Sequence, residues 1–136
     1  MGIQLENAAR SAGMDAIAAL LDAADDPGYV VIREGATVGA GTVLATIPLA
    51  KPAFGAAADG VATIDADPVL EDDDPSATGT AGHFEAFDGD DNLILSGDVT
   101  ATDGGGALEL TTLSIAEGVP VRITGGTLTL PAGSVA

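Results

Sequence analysis

The chain has one histidine, His83, which stands beside Phe84 at the start of a strand-like run. No Gly-x-Ser-x-Gly elbow occurs to give it a nucleophile, so it reads as a packed or solvated strand residue. Carboxylates are the other group in supply. The run Glu71-Asp72-Asp73-Asp74 offers Asp72, Asp73 and Asp74 as weak ligands for a calcium or magnesium ion between subunits, although a charge run of this kind is usually a solvated surface. Asp88-Gly89-Asp90-Asp91-Asn92 opens like a calcium loop. Leu93, however, stands where the turn glycine belongs and Val99 where the bidentate Glu belongs, which leaves an ordinary hairpin turn. Gly35–Gly41 lacks the Lys-Ser/Thr ending of a phosphate loop and leads into a strand, not a helix. A catalytic acid must be singled out by burial, and these acids lie in turns. No catalytic residue is assigned, no cofactor is expected beyond a structural calcium or magnesium, and an enzyme is not expected.

The elements that position these residues follow from a change of period. From Gln4 to Ala24 the chain is rich in Ala and Leu, and Met14, Ile17, Leu20, Leu21 and Ala24 recur at helical spacing. Glu6 and Arg10 stand four apart in the favourable order, Gly13 is a point where the helix could split, and Asp25-Asp26-Pro27-Gly28 ends it. After Gly28 the period becomes two. Strands are expected at Tyr29–Glu34, Thr42–Leu49, Val61–Asp65, His83–Asp88, Leu93–Thr100, Ala107–Thr111, Val119–Thr124 and Thr127–Leu130. The last two are joined by Gly125-Gly126, a two-residue hairpin signal, and Ala66–Thr80 reads as an acidic surface loop. About eight strands after one helix predict a mainly β fold, a jelly-roll-like β-sandwich, with an Ig-like sandwich as the competing topology. The expected organisation is an N-terminal helix over residues 1–27 for oligomerisation or docking, then a β-sandwich domain over 28–136.

Composition narrows the partners. The 136 residues carry 21 acidic against 4 basic side chains, a net charge of -17. Arg10, Arg33, Lys51 and Arg122 are scattered, so neither nucleic acid nor an anionic membrane finds a basic patch. Leu, Ile, Val and Phe number 34, enough for a core. With 0 cysteines, disulfides, thiolate metal sites and a Cys nucleophile are excluded. Met1–Glu6 lacks a basic region followed by an apolar block, so a secretory signal is not expected. Asp outnumbers Glu 15 to 6 and Lys is nearly absent, a pattern suited to molar salt, where charge repulsion is screened within about 3 Å.

Several blocks carry a resemblance. They are Gly41-Thr42-Val43-Leu44-Ala45-Thr46-Ile47-Pro48-Leu49, Pro52-Ala53-Phe54-Gly55-Ala56-Ala57, Gly60-Val61-Ala62-Thr63 and the run Ala77–Asp88, followed by Ser96-Gly97-Asp98-Val99, Ser114–Val121 and Gly126–Pro131. In order and spacing, behind an Ala-rich helix, they resemble a group of small structural proteins of tailed viruses of bacteria and archaea. The resemblance spans about Asn7 to Pro131 and rests on turn and strand patterns. It implies a non-enzymatic virion protein, assembled in the host cytoplasm and located on the particle. The role expected is a homo-oligomeric capsid decoration, turret or spike-base subunit that contacts the major capsid protein or other virion proteins. The acidic load adds a halophilic host. A tail or head–tail junction component is the alternative within that class, and a receptor- or carbohydrate-binding module the alternative outside it. The stripe Met14, Ile17, Leu20 and Leu21 is the expected oligomer or docking interface.

Overall fold

The computed structural model describes residues 3–131. Among the described residues a single helix, α1 (Asn7–Leu21), precedes ten strands: β1 (Tyr29–Arg33), β2 (Val43–Pro48), β3 (Val61–Thr63), β4 (Leu70–Asp72), β5 (Gly79–Thr80), β6 (His83–Phe87), β7 (Leu93–Ala101), β8 (Leu108–Leu110), β9 (Ser114–Ile115) and β10 (Val121–Thr129). The expected architecture, one helix followed by a mainly β body, is the one observed. Eight strands form a curled sheet in the order β2-β1-β6-β7-β8-β10-β3, with β4 also on β10, while β5 and β9 make a separate pair.

The helix is shorter than its Ala-rich segment. It starts after Glu6, whose extended backbone makes it the N-cap and whose carbonyl accepts from Arg10 N–H at 2.9 Å. It stops at Leu21, and Lys51 reaches across to donate its ammonium to the Ala24 and Asp25 carbonyls just beyond the end. Gly13 does not split it. A Cβ there would lie 2.7 Å from Leu130 Cδ2, so the glycine is the place where helix and chain end come together. Side-chain bonds extend the docking: Arg10 Nε donates to the Leu130 carbonyl, Asp15 accepts from Ala57 N–H and Asp22 from Ala53 N–H, at 2.8, 2.7 and 3.0 Å. The helix therefore shares one core with the sheet, and Leu21 sits in that core with Ile32, Leu44, Ile47 and Phe84. Each large side chain fully buried there contributes roughly 1.5–3 kcal/mol. Among the described residues no helix is long and apolar enough to cross a membrane.

The sheet is antiparallel except for β7 beside β8, which run parallel with Val99 opposite Leu108. Parallel neighbours usually need a long crossover, but this ladder is only three residues a side, so the short turn through Gly104–Gly106 suffices to return the chain. The expected hairpin at Gly125-Gly126 is not formed. Neither glycine has positive φ, so the tight turn that such a pair usually supports is not made. β10 instead runs straight through them, pairing with β4 and β8 in its first part and β3 in its last, with a register shift between Ile123 and Gly125.

A second correction concerns Ala66–Thr80. It contains β4 and β5 and is partly interior, with Leu70 and Pro75 buried. This segment closes the curl: the outer edge of β2 would otherwise present free backbone groups, and residues 72–76 satisfy them. Thr46 N–H donates to Asp72 Oδ2 at 2.9 Å, Ser76 N–H to the Leu44 carbonyl at 3.0 Å, and Ser76 Oγ to the Val43 carbonyl at 3.2 Å.

Candidate functional site

On β6 the residues His83, Glu85 and Phe87 alternate with Phe84 and Ala86. Phe84 and Ala86 belong to the core, and the Phe84 ring lies over Gly97 of β7, where a Cβ would meet it at 2.8 Å. The opposite face carries His83 and Glu85, and β1 adds Arg33, directly opposite His83 in the antiparallel register. His83 and Glu85 are nonetheless only 5% and 2% exposed. What brings them together is the β1–β2 connection, which folds back over this face.

The contacts form one network. Glu85 Oε1 accepts from Arg33 Nε at 3.1 Å, and Oε2 accepts from the Gly39 N–H at 2.6 Å and meets His83 Nε2 at 2.9 Å. His83 Nδ1 meets the Gly35 carbonyl at 2.8 Å, and Arg33 Nη1 donates to the Gly41 carbonyl at 3.0 Å. Burial would push the Glu85 carboxyl up, but hydrogen bonds from Gly39 and His83 and the charge and hydrogen bond of Arg33 more than offset it, holding it below the usual carboxylate range. Beside the network lies an open cavity of about 200 Å³, lined by Ala36 and Val38 from the loop and by Gly82, His83, Ser96, Gly97 and Asp98 from the sheet. Both ring nitrogens of His83 are engaged, so the Ser96 hydroxyl at the cavity wall gains no base from it.

The acids expected as metal ligands have separate duties. Asp72 seals β2 and accepts from Asp74 N–H at 2.9 Å. Glu71 pairs with Arg122 Nε at 2.7 Å, a contact that lowers its carboxyl, and the neighbouring Glu71 carboxylate raises that of Asp73. Among the described residues no group of three metal-ligating side chains converges. Asp88 holds the β6–β7 turn, with Oδ1 accepting from the N–H groups of Asp90 and Asn92 and Oδ2 from Asn92 Nδ2, at 3.0, 2.9 and 3.0 Å. Those bonds, from Asn92 first, depress its carboxyl.

The four-residue stripe of the helix does not face one way. Met14 and Leu21 are 3% and 0% exposed inside the chain's own core, Ile17 is half-buried, and Leu20 is 51% exposed. Met14, Ala18 and Leu21 form the inward face, so only Leu20 of the stripe is fully available to another molecule. The outward face carries Ala9, Ala12, Ala16, Ala19 and Leu20. Two of the aromatic rings, Tyr29 and Phe87, stack with centroids 5.2 Å apart, and the Tyr29 hydroxyl donates to Asp91 at 2.8 Å.

Glu85 and Arg33 were not legible as partners of His83. The two-residue spacing of His83 and Glu85 on a strand was the available signal, since it places both on one face. Comparison with protein-family models, with curated proteins and with solved structures finds no match for this chain.

Proposed function

We propose that this chain is a non-enzymatic structural protein of a tailed virus of a halophilic host, a homo-oligomeric subunit that decorates the capsid surface or builds a turret or spike base. The observation that carries the reading is where the resembling blocks fall. Gly41–Leu49 contains β2 with its sealed edge, Ala77–Asp88 contains β5 and β6, Ser96–Val99 lies in β7, and Ser114–Val121 holds β9 and the start of β10. They supply β2, whose edge residues 72–76 seal, and the strands β6 and β7 of the sheet that this seal protects. A shell component gains from such closure, because an open strand edge would template uncontrolled pairing between the many copies on a particle.

The helix keeps its docking role through its other face. Ala9, Ala12, Ala16, Ala19 and Leu20 make the middle of that face uncharged on a chain of net charge -17, with Asp15 at its margin engaged by the Ala57 N–H, so a second copy meets mostly apolar surface there. Repeated around an axis, such contacts close into a ring. Light scattering in molar KCl tests the assembly. The wild-type protein should run as a discrete oligomer, and the pair Ala16→Asp with Leu20→Asp should run as a folded monomer with unchanged circular dichroism. A wild-type chain that is monomeric at every concentration contradicts the homo-oligomer.

A further inference from the structure

The β1–β2 connection, residues 34–42, is fastened to the sheet by side chains at three glycines. The Gly35 carbonyl meets His83, the Gly39 N–H meets Glu85, and the Gly41 carbonyl accepts from Arg33. All three glycines have positive φ, 78°, 80° and 89°, a backbone shape that residues with a Cβ rarely adopt. Val38 stands between them at the tip, 47% exposed.

Counting donors fixes the charge that this arrangement needs. The Gly35 carbonyl can only accept. The Glu85 carboxylate already receives the Gly39 N–H and Arg33 Nε, and it also accepts from whatever His83 Nε2 presents. Each ring nitrogen of His83 therefore faces an acceptor, while a neutral imidazole has a single N–H. With a neutral ring, one of the two contacts becomes a meeting of lone pairs.

We propose that His83 is a proton-operated latch: as the imidazolium it fastens the strap of residues 35–41 across the sheet, and on losing a proton it lets the strap lift from the cavity beneath. The charged groups around the ring are Glu85 on its own strand, Arg33 opposite on β1, and Asp98 opposite on β7, which lines the same cavity. Two carboxylates against one guanidinium leave a net negative charge that the second ring proton neutralises. Glu34, at the root of the strap, lies instead against Gly79. Lifting removes Ala36 and Val38 from the cavity wall that they share with His83, Ser96 and Asp98.

The sign of the pH dependence follows. The latch contributes while both ring nitrogens carry protons, and its contribution is lost as rising pH removes one of them. The test uses the full chain in molar KCl, labelled with nitrogen-15. Ring nitrogen shifts of His83 report its protons, and exchange of the Gly39 amide, corrected for intrinsic base catalysis, reports the strap. We expect both ring nitrogens protonated while the strap is shut. Gly39 protection should fall with rising pH, at up to about tenfold per pH unit, as release of one proton requires. His83→Gln, which does not titrate, should remove that step. A bare ring nitrogen with Gly39 still protected, or a step that persists in His83→Gln, overturns the latch.

Discussion

Glu85 concentrates the chemistry of this molecule at the scale of one residue. It is the carboxylate on which Arg33, His83 and the Gly39 amide converge, and it is almost wholly buried. Removing one partner of such a cluster strands the others, so Glu85→Ala should cost about 3–5 kcal/mol in urea unfolding at constant KCl. The pH dependence has a defined sign. A carboxyl held below its ordinary value contributes stability that is present above about pH 4.5 and lost as pH falls through the folded value. Glu85→Gln should therefore flatten the acid limb of the stability profile, and an unchanged acid limb would show that the network carries no ionic stabilisation. His83 as a strand residue was readable from its neighbours, whereas its burial was left open between a packed and a solvated position. Arg33 as its partner was not readable, because the β1–β6 pairing joins residues about 50 positions apart and no local pattern announces it.

At the scale of elements, local signals were read well where the contacts are local. The β6–β7 hairpin was legible because its strands and its Asp-Gly-rich turn are contiguous, and Asp88 organises that turn through its own neighbours. β10 was misread because a Gly-Gly pair has two uses, a tight turn or a close approach. Here a Cβ on Gly125 would lie 2.9 Å from Glu109 Oε1 and one on Gly126 would lie 3.2 Å from Leu108 Cδ1. The helix stripe was ambiguous for a related reason: one face of a helix is apolar whether it meets a partner or its own sheet, and here Met14 and Leu21 meet the sheet. Two substitutions test the closure and the strap. Asp72→Ala leaves Thr46 N–H unpaired at the β2 edge and should cost about 1 kcal/mol, with faster aggregation on warming. Gly82→Ala places a Cβ on the Gly35 carbonyl and should cost about 1–3 kcal/mol, with the largest amide shift changes confined to residues 34–42. Changes spread evenly over the sheet would argue against a strap held at that point.

For the whole molecule, 21 acidic side chains act against compactness, and only four basic ones offset them, leaving a net charge of -17. Two of these, Arg33 and Arg122, are bound to Glu85 and Glu71, which leaves the rest of the acidic surface dependent on solvent ions. The thermal midpoint should fall as KCl is lowered from molar to millimolar, by about 3–6 °C for each 1 kcal/mol of screening lost. A midpoint indifferent to salt removes the halophilic host from the account. The central claim, a structural role on a virus particle, is tested most directly by quantitative mass spectrometry of gradient-purified particles from the source. Copy numbers comparable to the major capsid protein are predicted; a few copies per particle would move the protein to the tail or the head–tail junction, and its absence from the particles would contradict the structural role.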